Sequence, residues 1–234
     1  MCYHGTTKDN ADIIIRDRYM LPSTGDDQWL GEGYYFYYDI EYAFRWILIK
    51  YTNNFKNQYA DNYDKIYNEY SILSAKIDID QERVFDLDKI EHRLLFINTK
   101  MAISEKTARS QKYNNRLKNN SVVDGVIFNY LFKYEDYKEK YDAVKVTFPI
   151  SYIFDNSRMD YLPEPQLCVK NIEVISNYKL ASTKEVPEQY KNFIVDYNKV
   201  KKKLSEKNKN KYKKTQRNVK YKRREIHHDG NREN

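Results

Sequence analysis

Three short segments carry side chains that could do chemistry: His4-Gly5-Thr6, Gly31-Glu32-Gly33-Tyr34-Tyr35-Phe36 and Glu164-Pro165-Gln166-Leu167-Cys168-Val169. The first sets an imidazole beside a residue with no side chain, where a ligand can approach the backbone closely. The second is a Gly-x-Gly turn running into aromatic rings, whose faces can clamp a planar group. The third sets a carboxylate and an amide two residues apart, on one strand face if the strand already runs there; Pro163 and Pro165 count against that. Taken singly, each has an ordinary structural reading: a satisfied histidine, a turn into a core strand, a strand that opens on Gln. His227-His228, and Cys2 with His4, lack the further ligands a metal site needs, so no metal is expected.

Periodicity and turn chemistry supply the elements that must position these segments. Residues 2–6 read as a short strand ending at Gly5, and Thr7 or Asp9 can cap a helix over 11–18 with Ile13, Ile14 and Ile15 on its apolar side. Residues 22–27 are loop chemistry. Gly31 and Gly33 break any helix, and 34–38 read as a strand. Asp39 caps a helix that carries Tyr42, Ala43, Trp46 and Ile47 at helical spacing. Residues 53–69 read as helical or irregular, 70–79 as a strand, and 84–87 as a lead into a helix near 88–118. Further strands are expected at 122–132, with Asp124-Gly125-Val126 as its turn, and at 143–150. A loop over 154–165 precedes a last strand at 166–175. Trp29 and Trp46 read as core or cleft-wall rings, and Cys168 as packed rather than reactive. The whole reads as an α+β body over 1–185 with a charged helical or disordered tail over 186–234.

Charge separates the two parts. The 234 residues carry a net charge of +7, yet residues 199–234 alone hold 15 Lys and Arg against four acids, leaving 26 basic and 30 acidic residues in the remainder. Lys201, Lys202, Lys203, Lys213, Lys214, Arg217, Arg223 and Arg224, with Tyr212 and Tyr221 among them, are candidates for RNA or DNA binding. A solvated basic end is the alternative. Apolar anchors for a membrane surface are nearly absent from this stretch. No apolar run reaches the ~18 residues of a spanning helix, and no basic-then-apolar leader opens the chain. With two cysteines and no disulfide framework, a reduced cytoplasmic protein is expected. Hydrophobic content of 41% excludes a wholly disordered chain, whereas the 24 tyrosines fit an AT-rich codon bias.

The order of the three segments adds what none gives singly. A strand ending His-Gly-Thr, then Gly-x-Gly with Tyr and Phe, then a late strand opened by Glu or Gln resembles the ADP-ribosyltransferase fold, in the His-Tyr-Glu branch shared by diphtheria-like toxins and poly(ADP-ribose) polymerases. The chain looks most like small bacterial or phage members written YHGT…WLGEGYYFYYD…A..W…DGVI…PE.QLCVKN, over roughly residues 2–176. The resemblance implies a split, twisted antiparallel sheet with flanking helices, holding NAD as substrate in a cleft. It also implies transfer of ADP-ribose to a nucleic-acid or protein acceptor with release of nicotinamide. By the same resemblance His4 meets a ribose hydroxyl, the Gly5 backbone grips the nicotinamide amide, Thr6 fills the Ser/Thr slot, and Tyr35 stacks on the ring with Phe36 beside it. Arg18 precedes the loop that covers the dinucleotide and is a candidate for its phosphates. Gln166 takes the catalytic position, and Glu164 is either an acceptor-activating base or a solvated acid.

Gln166 stands where the best-known members carry Glu. Loss of the carboxylate would weaken transition-state stabilisation by about 2–4 kcal/mol. A mono-ADP-ribosyltransferase is therefore expected over a polymer-forming one. An NAD glycohydrolase, or a nucleic-acid-binding protein with a catalytically weak NAD-binding body, are the alternatives. A toxin with a cognate antitoxin as partner, a phage-defence effector, or a phage protein acting on its host would each suit such an enzyme.

Overall fold

Thr7 ends the first strand and begins the first helix. Its backbone is extended and its Oγ1 accepts the Asn10 N–H, filling one of the donors a helix start leaves unmet. In this computed structural model the described residues are 1–25, 28–54, 63–108, 123–134, 136–150 and 162–191. In chain order they form β1 (Cys2–Thr7), α1 (Lys8–Asp17), β2 (Tyr34–Tyr37), α2 (Ile40–Asn54), α3 (Tyr63–Glu69), β3 (Tyr70–Ile77) and β4 (Val84–Asp86). Then come α4 (Ile90–Ala108), α5 (Val123–Tyr134), α6 (Tyr137–Lys140), β5 (Ala143–Ile150), β6 (Leu162–Val169) and β7 (Ile175–Leu180). The turn into β2 requires glycine: Gly31 and Gly33 have φ of +73° and +154°, and a Cβ on Gly33 would lie 2.6 Å from the Val169 carbonyl oxygen.

The fold is α+β, with seven strands in the order β4-β5-β6-β2-β1-β3-β7. The sheet is mixed rather than wholly antiparallel, because β4 runs parallel to β5. A parallel neighbour needs a long crossover, and the stretch containing α4, α5 and α6 supplies it. The ladder is uneven. β1 pairs with β3 from Cys2↔Ala75 to Thr7↔Tyr70, and β2 pairs with β6 from Tyr34↔Val169 to Tyr37↔Gln166. Between β1 and β2 the register holds at Tyr3↔Tyr37 alone, so the sheet opens beyond that pair.

Alternation along each strand divides the core between the two faces. One face carries Cys2, Tyr34, Phe36, Leu73, Leu167 and Val169, packed against Ala11 and Ile14 of α1. The other carries Val144, Val146 and Cys168, covered by Phe96 of α4 and by Ile127, Phe128 and Leu131 of α5. On this second face α2 packs where Gly5 has no side chain: a Cβ there would meet Ile47 at 2.8 Å, Trp46 at 2.9 Å and the Ala43 carbonyl at 3.0 Å.

Three expected elements are corrected. The first strand does not end at Gly5, which pairs with Ile72 inside a β1 that runs on to Thr7. The described part of the expected strand over 122–132, residues 123–132, is not a strand but belongs to α5, with Asp124-Gly125-Val126 in its first turn. Ile127, Phe128 and Leu131 are buried at helical spacing, and that stripe outweighs the β-branched content of the segment. The last strand does not run over 166–175. β6 already begins at Leu162, within the expected loop, and ends at Val169; a 3-10 turn at Ile172–Val174 then leads into β7. Pro163 and Pro165 are tolerated because they precede the stretch paired with β2, so no β2 carbonyl faces their missing N–H.

The chain divides into two compact units, Met1–Ser151 with Tyr161–Pro187, and Tyr152–Asp160 with Glu188–Asn234. Every element named above belongs to the first. In the second, residues 188–191 form a helical turn in which Lys191 lies 3.3 Å from Glu188. The basic candidates from Lys201 to Arg224 lie outside the described residues, as does 109–118 of the expected helix. Among the described residues no helix is long and apolar enough to cross a membrane.

Candidate functional site

The interruption between β1 and β2 is where a side chain replaces the missing ladder. His4 Nδ1 lies 2.7 Å from the Tyr35 carbonyl oxygen. A carbonyl can only accept, so Nδ1 carries the proton, and in the neutral ring Nε2 is left as an acceptor. Burial pushes the His4 pKa below its ordinary value, which keeps the ring neutral at pH 7. Nε2 has no hydrogen-bond partner among the described residues.

His4 lies in a cleft of about 500 Å³ whose lining includes Gly5, Thr6, Tyr19, Met20 and Trp46. Thr6 is buried. The bare Gly5 lets the Trp46 indole cross from α2 to 6.4 Å from the His4 ring, and Phe36 supports that ring from the core at 5.8 Å. The lining holds one charged side chain, Asp17, already paired with Arg16 at 2.6 Å. Arg18 is exposed at the left-handed C-cap of α1, between two lining residues, Asp17 and Tyr19.

The Glu164–Gln166 pair forms a second constellation, beneath α2. Glu164 and Gln166 are buried at 4% and 9% exposure. Gln166 Nε2 donates to Glu164 Oε1 at 2.5 Å, and Arg45 Nη1 donates to Glu164 Oε2 at 2.5 Å. The Tyr42 hydroxyl donates to the Pro163 carbonyl, tying α2 to the start of β6. Tyr37, opposite Gln166 in the ladder, has its phenol pKa raised by burial and then by the Glu164 carboxylate.

The structure therefore gathers His4, Gly5 and Thr6 in one cleft, and Gln166 with Glu164 in a separate polar cluster, with Tyr37 opposite Gln166 and Tyr3 opposite Tyr37 in the ladder. Tyr35 joins the cleft by its backbone. Strand alternation turns its phenol to the opposite face from His4, where the hydroxyl accepts from Leu30 N at 2.9 Å and donates to the Gly31 carbonyl at 2.7 Å. The aromatic ring lining the cleft beside His4 is Trp46, which the sequence marks as a core or cleft-wall ring at helical spacing. Arg45 had a fainter signal, a cation set between Phe44 and Trp46 in an apolar stretch of α2. Cys168 is fully buried, with burial raising its thiol pKa, and it is packed as expected.

A further hollow of about 440 Å³ lies on the α4–α5 face, with Trp29, Leu30, Phe96, Phe128, Val146 and Phe148 in its lining. Trp29 meets Phe148 edge-on at 4.9 Å, so it too is a cleft-wall ring. Among the described residues no three His, Cys, Asp or Glu side chains gather as a metal site would need.

No protein-family model matches the chain, and no solved structure matches it significantly. It is 34% identical over 190 residues to the uncharacterized protein MJ0359 of Methanocaldococcus jannaschii, an alignment that covers 74% of this chain and 83% of the archaeal one. At that identity and coverage the chain belongs to the same family as MJ0359.

Proposed function

We propose that this protein transfers ADP-ribose from NAD to a nucleic-acid or protein acceptor and releases nicotinamide. The observation that carries the reading is the His4 cleft, where a neutral imidazole offers a free acceptor nitrogen beside an indole face. A ribose hydroxyl needs such an acceptor, and a planar pyridinium ring is held well by an aromatic face. A cleft of about 500 Å³ is within the range of small-molecule sites. With no basic side chain in the lining, the pyrophosphate falls to Arg18 at the edge.

In the reaction, the bond from the ribose carbon to the pyridinium nitrogen breaks, and its electron pair stays on that nitrogen. Nicotinamide leaves neutral and needs no acid. The sugar carbon gains positive character and takes a lone pair from an acceptor oxygen or nitrogen, whose proton is released. His4 and Trp46 hold the reacting end, and the polar oxygen is assigned to Gln166, which lies outside the cleft lining in the polar cluster of β6.

One observation favours a second reading, NAD binding or slow hydrolysis without transfer. Glu164 has both carboxylate oxygens committed, one to Arg45 and one to Gln166, so it is poorly free to take an acceptor's proton.

The test incubates the full chain with NAD radiolabelled in its adenylate half, together with RNA, DNA or lysate protein, beside His4→Ala. Label in a macromolecule, lost in His4→Ala, supports transfer. Free ADP-ribose without labelled macromolecule selects hydrolysis. No NAD consumption, with no thermal shift by NAD or nicotinamide, overturns both and leaves a nucleic-acid-binding protein.

A further inference from the structure

Gln166 is an amide with two faces, a donor and an acceptor, and only its surroundings decide which is presented outward. Glu164 is two residues away on the same strand face, and its ionised carboxylate can only accept. The contact at 2.5 Å therefore takes the Nε2 end, leaving Oε1 outward with no donor among the described residues. Glu164 is in turn held by Arg45, from a helix 119 positions earlier in the chain, at 2.5 Å. Arg45 Nε is buried with no hydrogen-bond partner among the described residues, so the side chain is committed to this single ion pair. A buried Arg–Glu pair is expensive to desolvate and is weak as a source of stability. Its effect here is orientational.

We propose that Arg45 and Glu164 are positioning residues that lock the Gln166 amide with its carbonyl oxygen outward, so that Gln166 acts as an acceptor where a carboxylate would otherwise be needed. This rests on the ADP-ribosyl transfer reading. An outward Oε1 is the one part of a glutamine that can accept from a ribose hydroxyl and carry partial negative charge toward a sugar gaining positive character. A glutamine free to flip would present N–H₂ half the time, with the wrong sign.

Three variants of the full chain test this. Glu164→Gln keeps size and shape but lets residue 164 offer either donor or acceptor, so the amide of Gln166 is no longer fixed. The expected result is a kcat lower by about tenfold to a hundredfold with KM for NAD nearly unchanged, the pattern of a misplaced group. Gln166→Glu places a second carboxylate against Glu164, which Arg45 holds and Tyr37 and Tyr42 face. The two carboxylates share a proton, so activity is expected to rise with pH as that proton leaves. The exchanged pair Glu164→Gln with Gln166→Glu restores one amide donor and one carboxylate and should recover kcat and flatten the pH profile. A structural readout accompanies the kinetics: in ¹⁵N-glutamine-labelled protein the Gln166 side-chain N–H held by Glu164 is expected downfield and slow to exchange, and to lose both properties in Glu164→Gln. If the native chain turns over NAD while Glu164→Gln keeps its kcat and pH profile, the positioning role is overturned and the transfer reading stands. If the native chain leaves NAD intact while the amide signal behaves as described, the transfer reading falls and the lock remains. An unprotected Gln166 amide in the native protein overturns the lock outright.

Discussion

The two hollows of the first unit are similar in size and differ in how their polar groups are answered. The hollow beside Trp29 lies over β5, which pairs with β6 without a break from Ala143↔Val169 to Ile150↔Leu162. Its charged and hydroxyl groups are met within the protein: Arg93 Nε donates to the Leu87 carbonyl at 2.6 Å, Asp124 accepts from Lys100 at 2.7 Å, and Thr147 donates to Asp88 at 2.6 Å. The His4 cleft instead sits where the ladder between β1 and β2 fails after one pair, and it leaves an imidazole nitrogen unanswered. Backbone and side-chain polar groups withdrawn from water are nearly always paired in native proteins. A hollow with its polar groups satisfied is a packing feature; one with an open acceptor is suited to a ligand.

The largest effect should separate the two by stability. Phe128 is 1% exposed, stacks on Phe96 at 4.6 Å and forms one wall of the Trp29 hollow. Phe128→Ala should cost about 3–5 kcal/mol of folding free energy, read from denaturant unfolding, because the removed ring is core. NAD affinity, measured below the new melting temperature, should stay as it was. A matching loss of affinity would mean that the two hollows are one site.

The next effect should separate them by binding. Removing a ring stacked on a planar ligand costs about 1–3 kcal/mol, so Trp46→Ala should weaken NAD binding about fivefold to a hundredfold by calorimetry. Trp29→Ala should change it less than about twofold, since that ring is 56% exposed and holds Phe148 rather than His4. The reverse ranking would move the dinucleotide to the other hollow.

How much of this was legible depends on how far apart the partners lie in the chain. The Thr7 cap, the glycine turn before Tyr34 and the start of α2 after Asp39 were readable because each is fixed by chemistry within a few residues. Helix α5 was misread because Val122-Val123 and Val126-Ile127-Phe128 suit a strand as well as a buried helix, and only the burial of Leu131 decides between them. The start of β6 was hidden by Pro163 and Pro165, whose tolerance depends on where β2 ends. Within the site, His4 and Gln166 stood out by type, but the face to which Tyr35 turns and the Arg45–Glu164 contact arise from strand alternation and tertiary pairing. No local pattern encodes a bond between a helix and a strand 119 residues away.

The smallest effect should come from pH, and it tests whether the open nitrogen of His4 is the feature that distinguishes its cleft. Burial lowers the His4 pKa in the folded chain, while the unfolded chain titrates near the ordinary value of about 6.5. The stability His4 contributes is therefore whole above that ordinary value and is lost as pH falls through the lowered one. Binding should follow the same direction, because protonation converts Nε2 from acceptor to donor. A hydroxyl can still accept from the protonated ring, so the loss of NAD affinity between about pH 8 and about pH 5 should stay below tenfold. His4→Gln keeps an acceptor without a titrating group and should remove this pH dependence while retaining measurable affinity. A slope that persists unchanged in His4→Gln would assign it to another group and leave the imidazole with only its bond to the Tyr35 carbonyl, a structural bridge across the gap in the sheet.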